Sequence, residues 1–318
     1  MKKVIGILLV IVIVVGFVIF LLAFASAGFS FTNMVNGNAE TNTYAVSAEF
    51  DKIDISTSET DVTFMLADAE GIRVVCTERS KMKHTVTVED GTLKVIAVDE
   101  RKWYERISFF SGALRMTVYL PSKVFASLKI EDSTGDVSIP KDFLFGNIDV
   151  TASTGDVDCR ASVTELLKIS ISTGSIYIKE LTAEKMALSV STGKVTAESV
   201  TCNSEISIDV STGKTTLTDL TCQTFVTSGS TGQLVMKDVV ATDNFTIERS
   251  TGNIRFDHCD AGDISIKTST GDVSGTLRSG KIFVTRTSTG IIRVPDSITG
   301  GRCEISTSTG DIEIGISE

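Results

Sequence analysis

The chain has 318 residues, 30 Lys and Arg against 40 Asp and Glu, a formal net charge of −10 and 42% hydrophobic residues. This acidic balance lacks the basic stripe that nucleic-acid binding needs and excludes that class of partner. Two histidines and no nucleophile elbow, zinc spacing or phosphate loop leave no signature of catalysis, so no enzyme activity, cofactor or metal is expected.

Met1, Lys2 and Lys3 precede an uncharged apolar run of 22 residues, Val4 to Ala25. About 20 such residues cross a bilayer as a helix, and lysines on the short side place that side in the cytoplasm. Residues 1–27 therefore read as an N-terminal transmembrane signal anchor of a single-pass cell-membrane protein with an extracytoplasmic C-terminal domain. A cleaved secretory signal competes, because Ala23-Phe24-Ala25 and Ala25-Ser26-Ala27 both fit a small-residue cleavage site. The run exceeds the roughly 7–15 residues of a signal core, which favours the anchor. Residues 28–43 are polar and rich in Asn and Thr, a linker between membrane and ectodomain.

Residues 44–121 read as an irregular β region that caps the N-terminal end of a regular repeat. Period-two alternation predicts strands at Tyr44–Phe50, Lys52–Ser56, Asp61–Leu66, Ile72–Thr77, Thr85–Val88, Leu93–Val98 and Met116–Leu120. Asp90-Gly91 is a two-residue hairpin signal. Ile55-Ser56-Thr57-Ser58 with Asp61-Val62 is a degenerate copy of the repeat that begins later. Between Arg101 and Phe110 lies an insertion with the only Trp of the chain. Its Trp103, Tyr104, Phe109 and Phe110 either contact a membrane or partner, where aromatic and basic residues are favoured, or fold over the end of the core.

Over residues 122–318 the triplet Ser-Thr-Gly recurs ten times, with glycines at Gly135, Gly155, Gly174, Gly193, Gly213, Gly232, Gly252, Gly271, Gly290 and Gly310. Every interval is 19 or 20 residues, the signature of a solenoid whose coils bury their apolar faces on one another. Residues two and four places after each glycine are mostly apolar, as in Val137 and Ile139 or Ile176 and Ile178. So are those five and seven places before it, as in Ile148 and Val150 or Ile206 and Ile208. Leu181, Val200, Leu220 and Val239, seven places after a glycine, mark a third inward corner. The fold expected is all-β: a single-stranded parallel β-solenoid of about 19–20 residues per coil, preceded by one transmembrane helix. Glycine is expected at the corner because the turn requires positive φ. The residues after the glycines include Asp136, Asp156, Asp272 and Asp311 but also Lys194, Lys214 and Ile291, which breaks any calcium ladder of repeated oxygen ligands.

Of the six cysteines, Cys76, Cys159, Cys259 and Cys303 fall on inward positions as small hydrophobes. Cys202 and Cys222 each lie nine residues after a turn glycine and stack on successive coils, a spacing at which a disulfide is sterically open. His258 beside Cys259 invites a metal reading, but adjacent strand residues face opposite ways. Asp149, Lys168, Ala187, Ser207, Val226, Thr246, Ser265, Val284 and Glu304 form one outward row without a carboxylate cluster or sugar-stacking aromatics. Ile312, Ile314 and Ile316 begin a coil that is not completed, leaving an open edge at the C-terminal end.

The apolar N-terminal run, Glu89-Asp90-Gly91-Thr92-Leu93, Val118-Tyr119-Leu120-Pro121 and the repeated Ser-Thr-Gly-Asp-Val together resemble the bacterial putative adhesin family of LiaG-like β-strand-repeat proteins, over Tyr44 to the C-terminus. The resemblance implies a cell-envelope protein and brings no catalytic residues to carry over. The expected function is non-enzymatic binding or scaffolding in the bacterial envelope, with an envelope polymer or a membrane protein as partner. The alternatives are an accessory role in an envelope-stress response through a membrane partner, and a polysaccharide-active β-helix enzyme.

Overall fold

The computed structural model describes Gly16 and residues 39–101 and 114–317. Apart from Gly16, the N-terminal apolar run lies outside the described residues, as do Trp103, Tyr104, Phe109 and Phe110. Among the described residues, no helix is long and apolar enough to cross a membrane.

In the repeat, alternate side chains turn inward on both sides of the glycine: Ile148, Val150 and Ala152 before Gly155, and Val157 and Cys159 after it, are all buried. Each strand pairs in parallel with the next coil, Ile148 beside Leu167 at an offset of 19 residues and Phe125 beside Phe145 at an offset of 20. A period of two combined with a parallel ladder at one-coil offset is a parallel β-solenoid. The inward rows merge into one core, along which Phe50, Phe125 and Phe145 stack with centroids 6.0 and 5.6 Å apart. Each fully buried Phe, Ile, Leu or Val contributes about 1.5–3 kcal/mol, and stability accumulates coil by coil.

Two corners shape each coil of the regular body. At the first, nine of the ten triplet glycines have φ between 132° and 153°, a region closed to other residues. Stacking adds a second constraint: a Cβ on Gly193 would overlap the carbonyl of Gly174, 2.8 Å from its carbon. Gly135 is the exception, without a positive φ; it stacks on the degenerate copy, where a Cβ would sit 2.5 Å from the Thr60 carbonyl oxygen. Six places after a glycine, Glu180, Ser199, Asp219, Asp238 and His258 stand in left-handed conformation with φ of 52–57°. That reversal turns the next residue inward, so Leu181, Val200, Leu220, Val239 and Cys259 are buried.

The N-terminal region is built from β1 (Ala39–Ala45), β2 (Lys52–Ser56), β3 (Thr60–Leu66), β4 (Arg73–Arg79), β5 (Met82–Glu89), β6 (Thr92–Asp99) and β7 (Leu114–Leu120). β1 starts inside the expected linker, because residues 39–45 pair antiparallel with β4. The expected strand beyond Ala45 is irregular chain. The degenerate copy is a true coil: β2 and β3 pair in parallel with β8 (Val124–Thr134) and β9 (Val137–Ile139). On their other side they pair with β6 and β7, so Ile53 lies between Leu93 and Leu128. The first coil in sequence is thus second in space. Beyond β6 and β7 the sheet turns antiparallel through β5, β4 and β1. Asp90 and Gly91, with φ of 49° and 69°, make the tight turn between β5 and β6.

The body runs through β10 (Leu144–Thr154), β11 (Val157–Cys159), β12 (Ser162–Val163), β13 (Leu166–Thr231, several coils joined without a break), β14 (Leu234–Thr251) and β15 (Ile254–Cys259). After β16 (Asp263–Thr270) and β17 (Val273–Leu277) come β18 (Ile282–Thr289), β19 (Ile292–Arg293), β20 (Arg302–Thr309) and β21 (Ile312–Ile316). Here the order in space departs from the order in sequence. β20 pairs with both β16 and β18, and β21 with both β17 and β19. The last coil is inserted beneath its predecessor, so Ile312 and Ile314 are buried. The expectation of an open edge at Ile312, Ile314 and Ile316 is therefore corrected: the terminal coil is β18 and β19, and the outward row ends Ser265, Glu304, Val284. The return passes through Gly300 and Gly301; a Cβ on Gly301 would overlap the Gly262 carbonyl, 2.8 Å from its carbon.

Candidate functional surfaces

The residue after the turn glycine has a structural task. Oδ1 of Asp61 accepts from the backbone N–H of Asp136 at 3.0 Å, Asp136 Oδ1 from Asp156 at 2.8 Å, and Asp156 Oδ1 from Ser175 at 2.8 Å. The pattern returns near the other end, Asp272 Oδ1 accepting from Asp311 at 2.9 Å and Asp311 Oδ1 from Ile291 at 2.8 Å. These carboxylates tie one coil to the next, which accounts for the Asp preference without calcium.

The second corner carries charged side chains outward. His258 Nδ1 lies 2.8 Å from Asp238 Oδ1, which also accepts from Arg278 Nη2 at 3.1 Å. These bonds hold the Asp238 carboxyl below its usual range, the His258 contact contributing most. Cys259 is buried, with Sγ toward the Asp257 carbonyl, so His258 and Cys259 do face opposite ways and share no metal. In the outward row, Lys168 Nζ and Asp149 Oδ2 pair at 3.1 Å. Exposed ion pairs of this kind contribute about 0–1 kcal/mol.

A buried polar cluster in the cap went undetected in the sequence. Glu78 of β4 is fully buried, with Oε1 accepting from the His84 backbone N–H at 2.6 Å and lying 2.9 Å from His84 Nδ1. Its Oε2 accepts from Asn42 Nδ2 at 2.6 Å and Tyr44 Oη at 3.0 Å. Burial works to raise the Glu78 carboxyl, but these hydrogen bonds outweigh it and hold it low. Burial also pushes Tyr44 up to about 12, with the Glu78 bond adding to it. His84 Nε2 lies 3.3 Å from Thr57 Oγ1, so Thr57, His84 and Glu78 line up like a nucleophile, base and orienting acid. Thr57 is 7% exposed and His84 6%, so the line is sealed from substrate. Cys76 Sγ, the Glu78 carboxylate and His84 could together hold a metal ion by proximity, their ligand atoms lying within 4.8 Å of one another. Burial pushes the Cys76 thiol up to about 12 and both Glu78 oxygens are already taken, so the arrangement does not fit a metal. It pins β1, β4 and β5 to the first coil.

Cys202 and Cys222, whose spacing left a disulfide open, are free and buried in this structure. Cys202 Sγ points to carbonyls of Glu184 and Glu205 at 3.2 and 3.1 Å, while Cys222 Sγ faces Val240 at 4.0 Å. One thiol turns to the preceding coil and the other to the following one. The terminal coil leaves Ile282 46% and Val284 45% exposed on β18, which pairs with β20, and Ile292 40% exposed on β19, which pairs with β21.

Known proteins share this fold. The Toastrack DUF4097 family matches residues 50–209 and 201–318. The chain belongs to that family. A solved structure described as a putative adhesin from Parabacteroides merdae is similar at 15% identity and a TM-score of 0.51, covering 76% of this chain and 97% of its own. Another of the same description, from Parabacteroides distasonis, has 14% identity and a TM-score of 0.50, covering 88% and 98%. At such identities the likeness is one of fold. No curated protein matches the sequence. As a Toastrack domain the chain is all-β, in agreement with the fold that the resemblance drawn from its motifs implied.

Proposed function

We propose that this Toastrack protein is a membrane-anchored, extracytoplasmic, non-enzymatic binding scaffold of the bacterial cell envelope. The apolar run Val4 to Ala25 behind Lys2 and Lys3 supports the anchor. The observation that carries the binding role is the stacking of outward polar side chains in straight rows, one per coil, as in Asp149 beside Lys168 and Thr246 beside Ser265. Rows at about 4.8 Å spacing present weak contacts one after another along the stack, and a repetitive polymer engages them with multivalent gain.

The terminal coil favours a second reading. Ile282 and Val284 on β18 and Ile292 on β19, the edge strands of the terminal coil, suit addition of a strand from a membrane protein, as an accessory of an envelope-stress response would require. Binding of the exported part to isolated wall polymer, lipid vesicles and a crosslinked envelope-protein extract separates the two. Saturable polymer binding supports the scaffold; capture of one membrane protein, lost on Val284→Lys, supports the accessory role; hydrolysis of the polymer contradicts both.

A further inference from the structure

A trough of about 600 Å³ on the outer surface interrupts the regular coils near the C-terminal end. Its floor is β17 and β21 and its sides are β15 and β19, neighbours in the order β15, β17, β21, β19. The sides lie three ladder spacings apart, about 14 Å. Across these strands one outward row reads Arg255, Ser274, Glu313 and Arg293, and two residues further along stand Asp257, Thr276 and Gly315. Gly315 is the one glycine among the ten residues five places after a corner glycine. Neither backbone nor stacking calls for it: its φ is not positive, and a Cβ would meet only Thr276 Cγ2 at an ordinary 3.7 Å. Its effect is on the surface, where the sheet lies open over Ser274, Thr276 and Gly315 between the two arginines.

Among the described residues, the side chains of Arg255 and Asp257 have no hydrogen bond or ion pair, and two residues apart on β15 they share its outer face. On the opposite side Arg293 Nη1 lies 3.7 Å from Glu313 Oε1, with both side chains largely exposed. Thr276 Oγ1 accepts from the His258 backbone N–H at 2.9 Å, which leaves its own O–H to donate. Each side of the trough thus carries one guanidinium that only donates and one carboxylate that only accepts. The balance of charge gives no net pull on an ion. A sugar hydroxyl donates and accepts at once and satisfies both kinds of group. Strand addition by a peptide is not open on this face, because β17 is already paired with β15 on one side and β21 on the other. Phe256, the one aromatic residue lining the trough, is 2% exposed, so no ring is offered for stacking and the contact with a single unit is weak.

We propose that this trough binds a neutral, hydroxyl-rich saccharide unit, held by Arg255 and Asp257 on one side and by Arg293 and Glu313 on the other. The proposal rests on the polymer-binding scaffold reading and narrows it: the polymer is a glycan, and the trough is where the stack holds it. Weak contact with one unit is offset when a chain of many units meets many anchored copies of the protein.

The test uses the full chain in a polyoxyethylene detergent, which contains no sugar, with the tetramer of N-acetylglucosamine as the saccharide probe. Saturation-transfer NMR should detect binding of the tetramer, and inorganic polyphosphate should not displace it. Gly315→Leu should keep the native melting temperature and weaken the binding about tenfold or more, whereas Thr218→Leu, on the same outward row in β13, should leave it unchanged. If Gly315→Leu fails to fold, Arg255→Ala combined with Asp257→Ala decides by the same loss. No binding of the tetramer, displacement by polyphosphate, or equal binding by the native chain and the trough variants would each overturn the proposal. Wall polymer bound equally by native and Gly315→Leu chains would overturn the trough and leave the scaffold reading standing; tetramer binding without binding of wall polymer would uphold the trough and overturn the scaffold.

Discussion

Replacing Gly193 by Ala probes the corner on which the stacking depends. The backbone there has φ of 149°, where a side chain costs roughly 1–3 kcal/mol. The added Cβ also overlaps the Gly174 carbonyl, 2.8 Å from its carbon. Relief requires the two coils to part by about 1 Å at the corner, which weakens one or two ladder hydrogen bonds worth about 1 kcal/mol each. The sum is about 2–5 kcal/mol, and Val at the same position costs more. Gly315→Ala is the matched control: its φ is not positive and the Cβ would meet Thr276 Cγ2 at 3.7 Å, an ordinary contact, so its effect stays within about 0.5 kcal/mol. Urea unfolding followed by far-ultraviolet circular dichroism compares the midpoints. A midpoint for Gly193→Ala indistinguishable from the control would refute the argument from backbone conformation and stacking.

Asp132 supplies a pH test. Burial pushes its carboxyl up to about 6, with Asp61 and Asp136 adding repulsion. The folded chain therefore holds that proton more tightly than the unfolded one, and stability falls as pH rises from about 4 to about 6. Asp132→Asn should remove that slope and stabilise the protein at pH 7 by on the order of 2 kcal/mol, after discounting for water at the site; melts across pH 4–7 that superimpose for both proteins would contradict this. Glu78 carries the opposite sign, because its folded pKa is lowered: its contribution is full above the ordinary carboxylate range and is lost as pH falls through the lowered value. Glu78→Gln should cost about 2–4 kcal/mol, read from the same unfolding curves. Intact mass without reductant should correspond to six thiols, with all six alkylated only in denaturant, and a mass lower by two protons would restore the Cys202–Cys222 bridge. A soluble fragment starting at Tyr44 should be less stable than one starting at Ala39, since it loses most of β1 and the Asn42 bond to Glu78.

What the sequence disclosed depended on whether the signal was local. Glycine spacing, period-two alternation and Asp90-Gly91 each act within a few residues, and they located the coils, the inward rows and the hairpin. Coil order has no such local signal: every coil offers the same ladder edge, so nothing in one repeat says which neighbour it joins. Faint signs of the swap existed, in the apolar residues Ile282 and Val284 at outward positions and in the Gly300-Gly301 return. The Glu78 cluster was hidden because Asn42, Glu78 and His84 lie on three strands that come together only in the antiparallel cap. The buried Arg249 and Asp132 were visible as the two charged residues in an otherwise apolar or small row, once the position three places before each glycine is aligned across the coils.

The stacking order itself can be measured by crosslinking. Ser265 and Val284 lie on either side of Glu304 in the ladder, so cysteines at Ser265 and Glu304 are one strand apart, within disulfide reach, whereas cysteines at Ser265 and Val284 are two strands apart, about 9–10 Å. Under mild oxidation Ser265→Cys with Glu304→Cys should form an intramolecular disulfide and Ser265→Cys with Val284→Cys should not. Crosslinking of the second pair and not the first would mean that the coils stack in sequence order, contradicting the inserted last coil and the exposed terminal edge that it creates.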